Sequence, residues 1–218
     1  MKTKFNNISV FNKKKTYFIA DIGANHDGSL SRALKLIRLC AKAGANAAKF
    51  QHFKAETIVS DIGFKKLKKL SHQSKWKSSV FDTYKKASIN PDWTKKLYLE
   101  CKKNKIDFLT SPYDTEYVDM VNKYISAYKI GSGDITWIEI IKQIAKKNKP
   151  VILATGASSD VDVERAIKEI IKYNKRIILM QCNTNYTAGN ENFNYINLNV
   201  LKYFKKKYKD KITLGLSD

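Results

Sequence analysis

Ala43-Gly44-Ala45-Asn46-Ala47-Ala48-Lys49-Phe50-Gln51 holds the end of one element and the start of the next. Upstream, Ser29 or Ser31 can cap a helix on which Leu30, Ala33, Leu34, Ile37 and Ala41 recur at helical spacing, and Gly44 stops it. Downstream, Ala47 to Phe53 is a nearly continuous apolar run, the pattern of a strand covered on both faces. Lys49 interrupts it. An ammonium is costly to bury without a counter-charge, so an inward strand lysine implies a carboxylate or phosphate bound there. Lys129, in Tyr128-Lys129-Ile130-Gly131-Ser132-Gly133-Asp134, poses the same problem.

Working outward, the strand-and-helix unit repeats. Apolar or β-branched runs occur at Tyr17 to Gly23, Ala47 to Phe53, Asp107 to Tyr113, Ala127 to Asp134, Pro150 to Gly156, Ile177 to Asn183 and Ile212 to Asp218. Helical patterns fall between them. Asn90 and Pro91 open one carrying Trp93, Leu97 and Cys101, and others cover Trp137 to Lys147, Asp160 to Lys172 and Ile196 to Tyr208. Their apolar stripes are what a helix packed on a sheet needs. At least seven strands in strict alternation predict a TIM (β/α)8-type barrel over a doubly wound sheet, which more often has a glycine-rich phosphate loop after its first strand. Gly23-Ala24-Asn25-His26-Asp27-Gly28 is no such loop. The chain reads as a single domain over 1–218, with 54–90 as an insertion after the second strand, where long loops often bind substrate.

Polar residues gather at the strand ends. Asp21 closes the first run, Lys49 and Gln51 the second, Thr110 and Ser111 the third, Lys129, Ser132 and Asp134 the fourth, Thr155 the fifth, Asn183, Thr184 and Tyr186 the sixth, and Ser217 and Asp218 the seventh. In a barrel these converge on the C-terminal mouth, where catalytic groups belong. Two lysines with hydroxyls and the amides of Gly131-Ser132-Gly133 suit a phosphate or phospho-carboxylate, while Asp21, Asp134, Gln51 and Tyr186 suit hydroxyl binding and proton transfer. A metal is poorly served: His26, His52 and His72 are the only histidines, none paired with a second His or Cys at ligand spacing, and His26 reads as structural.

Composition removes other classes. The formal charge is +21, but of 41 basic residues only Arg32, Arg38, Arg165 and Arg176 are arginine, and base and phosphate readers favour Arg forks. The lysines read as a solvated surface, with no nucleic acid as partner. Cys40, Cys101 and Cys182 form no CxxC pair, which argues for a reducing compartment; no apolar run approaches the ~18 residues of a membrane span, and Met1 to Lys15 has no signal-peptide core. A cytoplasmic location and no membrane partner are expected.

The ordered segments Ala20-Asp21-Ile22-Gly23-Ala24-Asn25-His26-Asp27-Gly28, Ala43 to Gln51, Tyr128 to Asp134, Ala154-Thr155-Gly156 and Gly215-Leu216-Ser217-Asp218 together resemble the barrel domain of the N-acetylneuraminate (sialic acid) synthase family, which includes legionaminic and pseudaminic acid synthases. The resemblance implies condensation of phosphoenolpyruvate with an N-acetylated amino sugar aldehyde. Carbon 3 of phosphoenolpyruvate attacks the aldehyde, and water adds at carbon 2 before phosphate leaves by C–O cleavage. It implies that Lys49, Lys129, Ser132 and Thr184 hold phosphoenolpyruvate with Ser111 and Ser217 nearby, that Gln51, Asp134 and Tyr186 face the sugar, and that Asp21, Lys49 and Asp134 are catalytic, Asp21 in proton transfer or water positioning. A homodimer and a divalent metal, manganese or magnesium, are also implied.

The family commonly has Glu where Asp21 and Asp134 stand, and a proline after the tyrosine where Tyr186 is followed by Thr187-Ala188-Gly189, which points to a subgroup with a different sugar. The resemblance further leads us to expect a C-terminally truncated barrel, without the metal-binding histidines or the small antifreeze-like domain and inactive alone. Two rival readings stay open. A phosphoenolpyruvate-dependent deoxy-octulosonate or deoxy-heptulosonate phosphate synthase would prefer a phosphorylated aldehyde. A nucleic-acid-binding protein would show salt-dependent binding to several phosphates.

Overall fold

The computed structural model describes residues 4–5, 8–9, 15–67, 76–184 and 189–217. Tyr186 and Asp218 lie outside them. The chain forms two compact units, 1–126 and 127–218.

In the first unit, Lys4–Phe5 (β1) and Ile8–Ser9 (β2) pair antiparallel. Three parallel strands follow, Ile19–Gly23 (β3), Ala47–His52 (β4) and Asp107–Pro112 (β5), each beside the one before it in the chain. Helix Leu30–Lys42 (α1) joins β3 to β4. Ser29 caps it by accepting from the Arg32 N–H, Ala33 and Ile37 are buried, and Gly44 leaves it at φ +87°, a conformation glycine adopts without steric cost. Among the described residues of 54–90 are three short helices, Ala55–Ile58 (α2), Asp61–Lys66 (α3) and Val80–Ala87 (α4). Lys65 and Lys66 there are exposed, as a solvated lysine run requires. Asn90 then caps a 3-10 turn at Pro91–Trp93 that runs into Thr94–Lys103 (α5), which buries Leu97 and Cys101 as its spacing predicts.

After β5 comes a helix that periodicity missed, Thr115–Val121 (α6). Asp114 caps it by accepting from the Glu116 N–H, and Tyr117, Val118 and Val121 are buried. Two turns give too few repeats for a stripe to show.

The second unit has four parallel strands, again each beside its predecessor: Tyr128–Ile130 (β6), Val151–Ala154 (β7), Ile177–Cys182 (β8) and Thr213–Ser217 (β9). Between them lie Ile138–Lys146 (α7), Asp160–Ile171 (α8) and Asn199–Tyr208 (α9). On α7, Ile140, Ile141 and Ile144 are all buried, each contributing roughly 1.5–3 kcal/mol of hydrophobic free energy. A capping box starts α8: Ser159 accepts from the Asp162 N–H while Asp162 accepts from the Ser159 N–H. The run Ala127 to Asp134 is not strand throughout. β6 ends at Ile130, and Ser132–Asp134 is a 3-10 turn, because Gly131 and Gly133 favour a bend over a continued ladder.

Candidate active site

In the first unit the register places Asp21 opposite Lys49, and Gln51 opposite Ser111. Register partners in parallel strands point to the same face, so β3, β4 and β5 present these four side chains together. Lys49 is only 7% exposed, and its Nζ lies 2.8 Å from Asp21 Oδ2. The counter-charge that Lys49 called for therefore comes from the chain itself. The Asp21 side chain is half exposed, so its carboxylate stays solvated while it screens the buried ammonium. Gly23, at φ +52°, brings this group close: a Cβ there would stand 3.5 Å from Asp21 Oδ1 and 3.7 Å from Gln51 Oε1.

Thr110 departs from the expected convergence. It points to the other face of the sheet, where its hydroxyl meets His52 Nδ1 at 2.7 Å, and the other ring nitrogen of His52 meets Thr94 at the start of α5 at 2.9 Å. Burial lowers the His52 pKa to about 3, so the ring is neutral and ties strand to helix. His26, read from the sequence as structural, has its Nε2 buried without a hydrogen-bond partner among the described residues. It is fully buried, accepts from the Gly28 N–H at 3.1 Å, and meets the Trp93 ring edge-on. It thereby fixes the turn that follows Asp21.

The insertion is fastened next to these strand ends. Phe53, just past β4, packs on Tyr84 of α4 and on Tyr113 past β5, with ring centroids 5.6 and 6.3 Å apart, and Trp76 packs on Tyr84 at 6.5 Å.

In the second unit the close packing is at Gly156. Its φ is +53°, and a Cβ there would fall 2.4 Å from Ser132 Cβ and 2.8 Å from Thr184 Cγ2. Three strand ends, those of β6, β7 and β8, thus bring Ser132, Gly156 and Thr184 into contact. Thr155, expected among the strand-end polar groups, donates its hydroxyl to the Met180 carbonyl at 3.1 Å and serves the sheet. Lys129 is 6% exposed, and its Nζ donates to the Ile130 carbonyl at 3.3 Å. Burial pushes the Asp134 carboxyl up to about 6, with Lys129 acting in the opposite direction. Asp134 is therefore poised to exchange a proton near neutral pH. Ser217 is half-buried at the end of β9, in register with Cys182.

Each unit thus carries a buried lysine with a carboxylate partner and hydroxyls at strand ends. The chemistry offered is anion binding with a proton-exchanging acid, on neutral polar surroundings. Among the described residues no group of three His, Cys, Asp or Glu side chains is arranged to hold a metal ion. No helix among them is long and apolar enough to cross a membrane.

Residues 36–218 match the NeuB family, and the chain belongs to that family. It is 37% identical over 212 residues to the N,N'-diacetyllegionaminic acid synthase of Campylobacter jejuni, a match covering 94% of this chain and 61% of that protein. The pseudaminic acid synthase of the same species is 29% identical over 208 residues, covering 94% and 59%. Among solved structures, the N-acetylneuraminic acid synthetase of Leptospira borgpetersenii in complex with citrate superposes with a TM-score of 0.78 at 27% identity, over 93% of this chain and 64% of that one. The fold class is the expected TIM (β/α)8 type, seven parallel strands of which are described here. The chain spans about three-fifths of the length of the curated relatives it matches.

Proposed function

We propose that this chain carries the phosphoenolpyruvate-binding part of a nonulosonic acid synthase, which joins phosphoenolpyruvate to an N-acetylated amino sugar aldehyde and releases phosphate. The observation that most supports it is the contact of Ser132, Gly156 and Thr184 beside the Lys129 and Asp134 strand end. Two hydroxyl side chains packed against Gly156, with a buried ammonium on the strand whose end carries Ser132, suit a phosphate group.

As the family resemblance implies, Lys49, Lys129, Ser132 and Thr184 are assigned to phosphoenolpyruvate, with Ser111 and Ser217 nearby. Gln51 and Tyr186 are assigned to the sugar. Carbon 3 of phosphoenolpyruvate forms the new C–C bond to the aldehyde carbon, whose oxygen takes a proton, and Asp134 is suited to supply it. Water then adds at carbon 2, and Asp21, half exposed and paired with Lys49, is assigned to orient that water. Cleavage of the C2–O bond releases phosphate and leaves the keto acid. Two of the relatives' names concern legionaminic and pseudaminic acids, and the acceptor assigned here is accordingly an acetamido sugar. The described residues do not fit a divalent metal site, so no step here is routed through an ion.

The test supplies phosphoenolpyruvate, a divalent ion and either N-acetylmannosamine or a 2,4-diacetamido sugar to the chain extended to the length of its relatives. Phosphate release that requires both substrates is expected. Release with none of these sugars rules the reading out.

A further inference from the structure

The basic residues of the second unit are not spread evenly over it. β7, β8 and β9 run parallel and side by side, with Val151 opposite Ile177 and Ile178 opposite Thr213, so the turns that lead into them stand together at one edge of the sheet. The first two turns, 146–149 and 171–176, hold six cations, Lys146, Lys147, Lys149, Lys172, Lys175 and Arg176, and no acid. The third adds Lys209 and Lys211, both exposed. Glu169 and Asp210, the acids beside these turns in sequence, are already paired, with Lys172 at 2.5 Å and Lys205 at 2.7 Å.

Helix dipoles account for part of this. Lys146, in the last turn of α7, and Lys172, at the end of α8, gain from a negative helix end, but Lys149, Lys175 and Arg176 lie past the helices. Side chains also fix the first two turns into one platform. Buried Asn174 donates to the Lys149 carbonyl and accepts from the Arg176 N–H at 2.9 Å, and the Arg176 guanidinium donates to Asn148 Oδ1 at 2.9 Å. Lys146 Nζ stands 5.4 Å from the centre of the Tyr173 ring. Among these charges Tyr173 is 40% exposed and Ile171 48% exposed.

The platform's composition indicates its partner. Lysine is a strongly hydrated point charge that suits a diffuse negative potential, whereas a nucleic-acid surface favours arginine forks and stacked aromatics, and the one arginine here is committed to Asn148. An aliphatic side chain gains nothing from a phosphate backbone, but Ile171 and Tyr173 suit the boundary between lipid headgroups and acyl chains. We propose that this edge is a docking surface for an anionic lipid bilayer, held chiefly by charge. Such attachment needs no spanning segment, so apolar runs in the sequence do not disclose it. Ser132, Gly156 and Thr184 lie at the other ends of β6, β7 and β8, and docking leaves them free. Neither these lysines nor Tyr173 take part in the synthase reading, so the two stand or fall separately.

The chain is floated with vesicles of phosphatidylcholine alone and of phosphatidylcholine with phosphatidylglycerol in equal parts. Because its formal charge of +21 attracts any anionic surface, two triple variants of equal charge are compared. One carries Lys146→Gln, Lys172→Gln and Lys175→Gln on the platform; the control carries Lys66→Gln, Lys85→Gln and Lys86→Gln. A lysine at an anionic bilayer is worth about fivefold in affinity, so the platform variant is expected to bind the mixed vesicles roughly a hundredfold more weakly than the parent, and the control within about threefold of it. Tyr173→Ser, which leaves the charge unchanged, should bind roughly threefold more weakly. Circular dichroism establishes that each variant is folded. Equal losses in the two triple variants, or no preference for the mixed vesicles, would overturn the proposal. So would tighter binding of single-stranded DNA that is lost with the same three lysines, which would make this edge a nucleic-acid surface.

Discussion

Lys49 and Lys129 are both more than nine-tenths buried, and each has a carboxylate for company, but the two carboxylates differ in solvation. Asp21 is half in water at 2.8 Å from Lys49 Nζ. Removing the ammonium leaves a carboxylate that water still solvates, so Lys49→Met is expected to change stability by less than about 1 kcal/mol. The same variant is expected to weaken phosphoenolpyruvate binding at least tenfold, the loss of one charge-assisted hydrogen bond of about 1.5–3 kcal/mol. Chemical denaturation and calorimetry separate the two effects. Asp134 is more desolvated, and its pKa of about 6 sets a pH signature. A carboxyl raised in the fold binds its proton more readily there than in the unfolded chain, so its contribution to stability falls as pH rises from about 4 to about 6 and is level above. Asp134→Asn should therefore stabilise the chain above pH 6, by roughly 1 kcal/mol after discounting its part exposure and the lost attraction to Lys129, or about 2–4 °C in Tm. Below about pH 4 the gain should vanish. A gain that is the same at pH 4 and pH 7 would contradict the assigned burial.

At the scale of elements, the junction of β6, β7 and β8 is the most constrained place in the second unit. Gly156→Ala puts a methyl 2.4 Å from Ser132 Cβ at a φ of +53°, so it should cost roughly 1–3 kcal/mol and push Ser132 and Thr184 apart. Thermal melts should show the loss, and anion affinity should fall with it; an unchanged melt would mean the strand ends are looser than described. Ser159→Ala, which removes half of the α8 capping box, should cost about 1 kcal/mol by urea denaturation and leave anion binding alone.

The same scale explains what the sequence disclosed. Strands buried on both faces leave continuous apolar runs, so all seven were legible, and Ser29 and Asn90 announced their caps. α6 was not legible because two turns leave only Tyr117, Val118 and Val121 as signal. The 3-10 turn at Ser132–Asp134 was hidden because the glycine-flanked stretch reads equally as a strand end. The contact of Gly156 with Ser132 and Thr184 depends on backbone angles and on residues 24 and 28 positions away, which no local pattern carries. The face on which Thr110 lies followed from register, which periodicity does not set in a two-sided strand.

At the scale of the whole molecule, the +21 charge comes overwhelmingly from lysine, and residues 36–218 match the NeuB family. The measurement that tests the central claim most directly is a calorimetric titration of phosphoenolpyruvate into this chain, with Lys49→Met and Lys129→Met beside it. The account predicts saturable binding that each substitution weakens at least tenfold while the fold persists by circular dichroism. Absent binding by the parent chain, or equal binding by parent and variants, would contradict it.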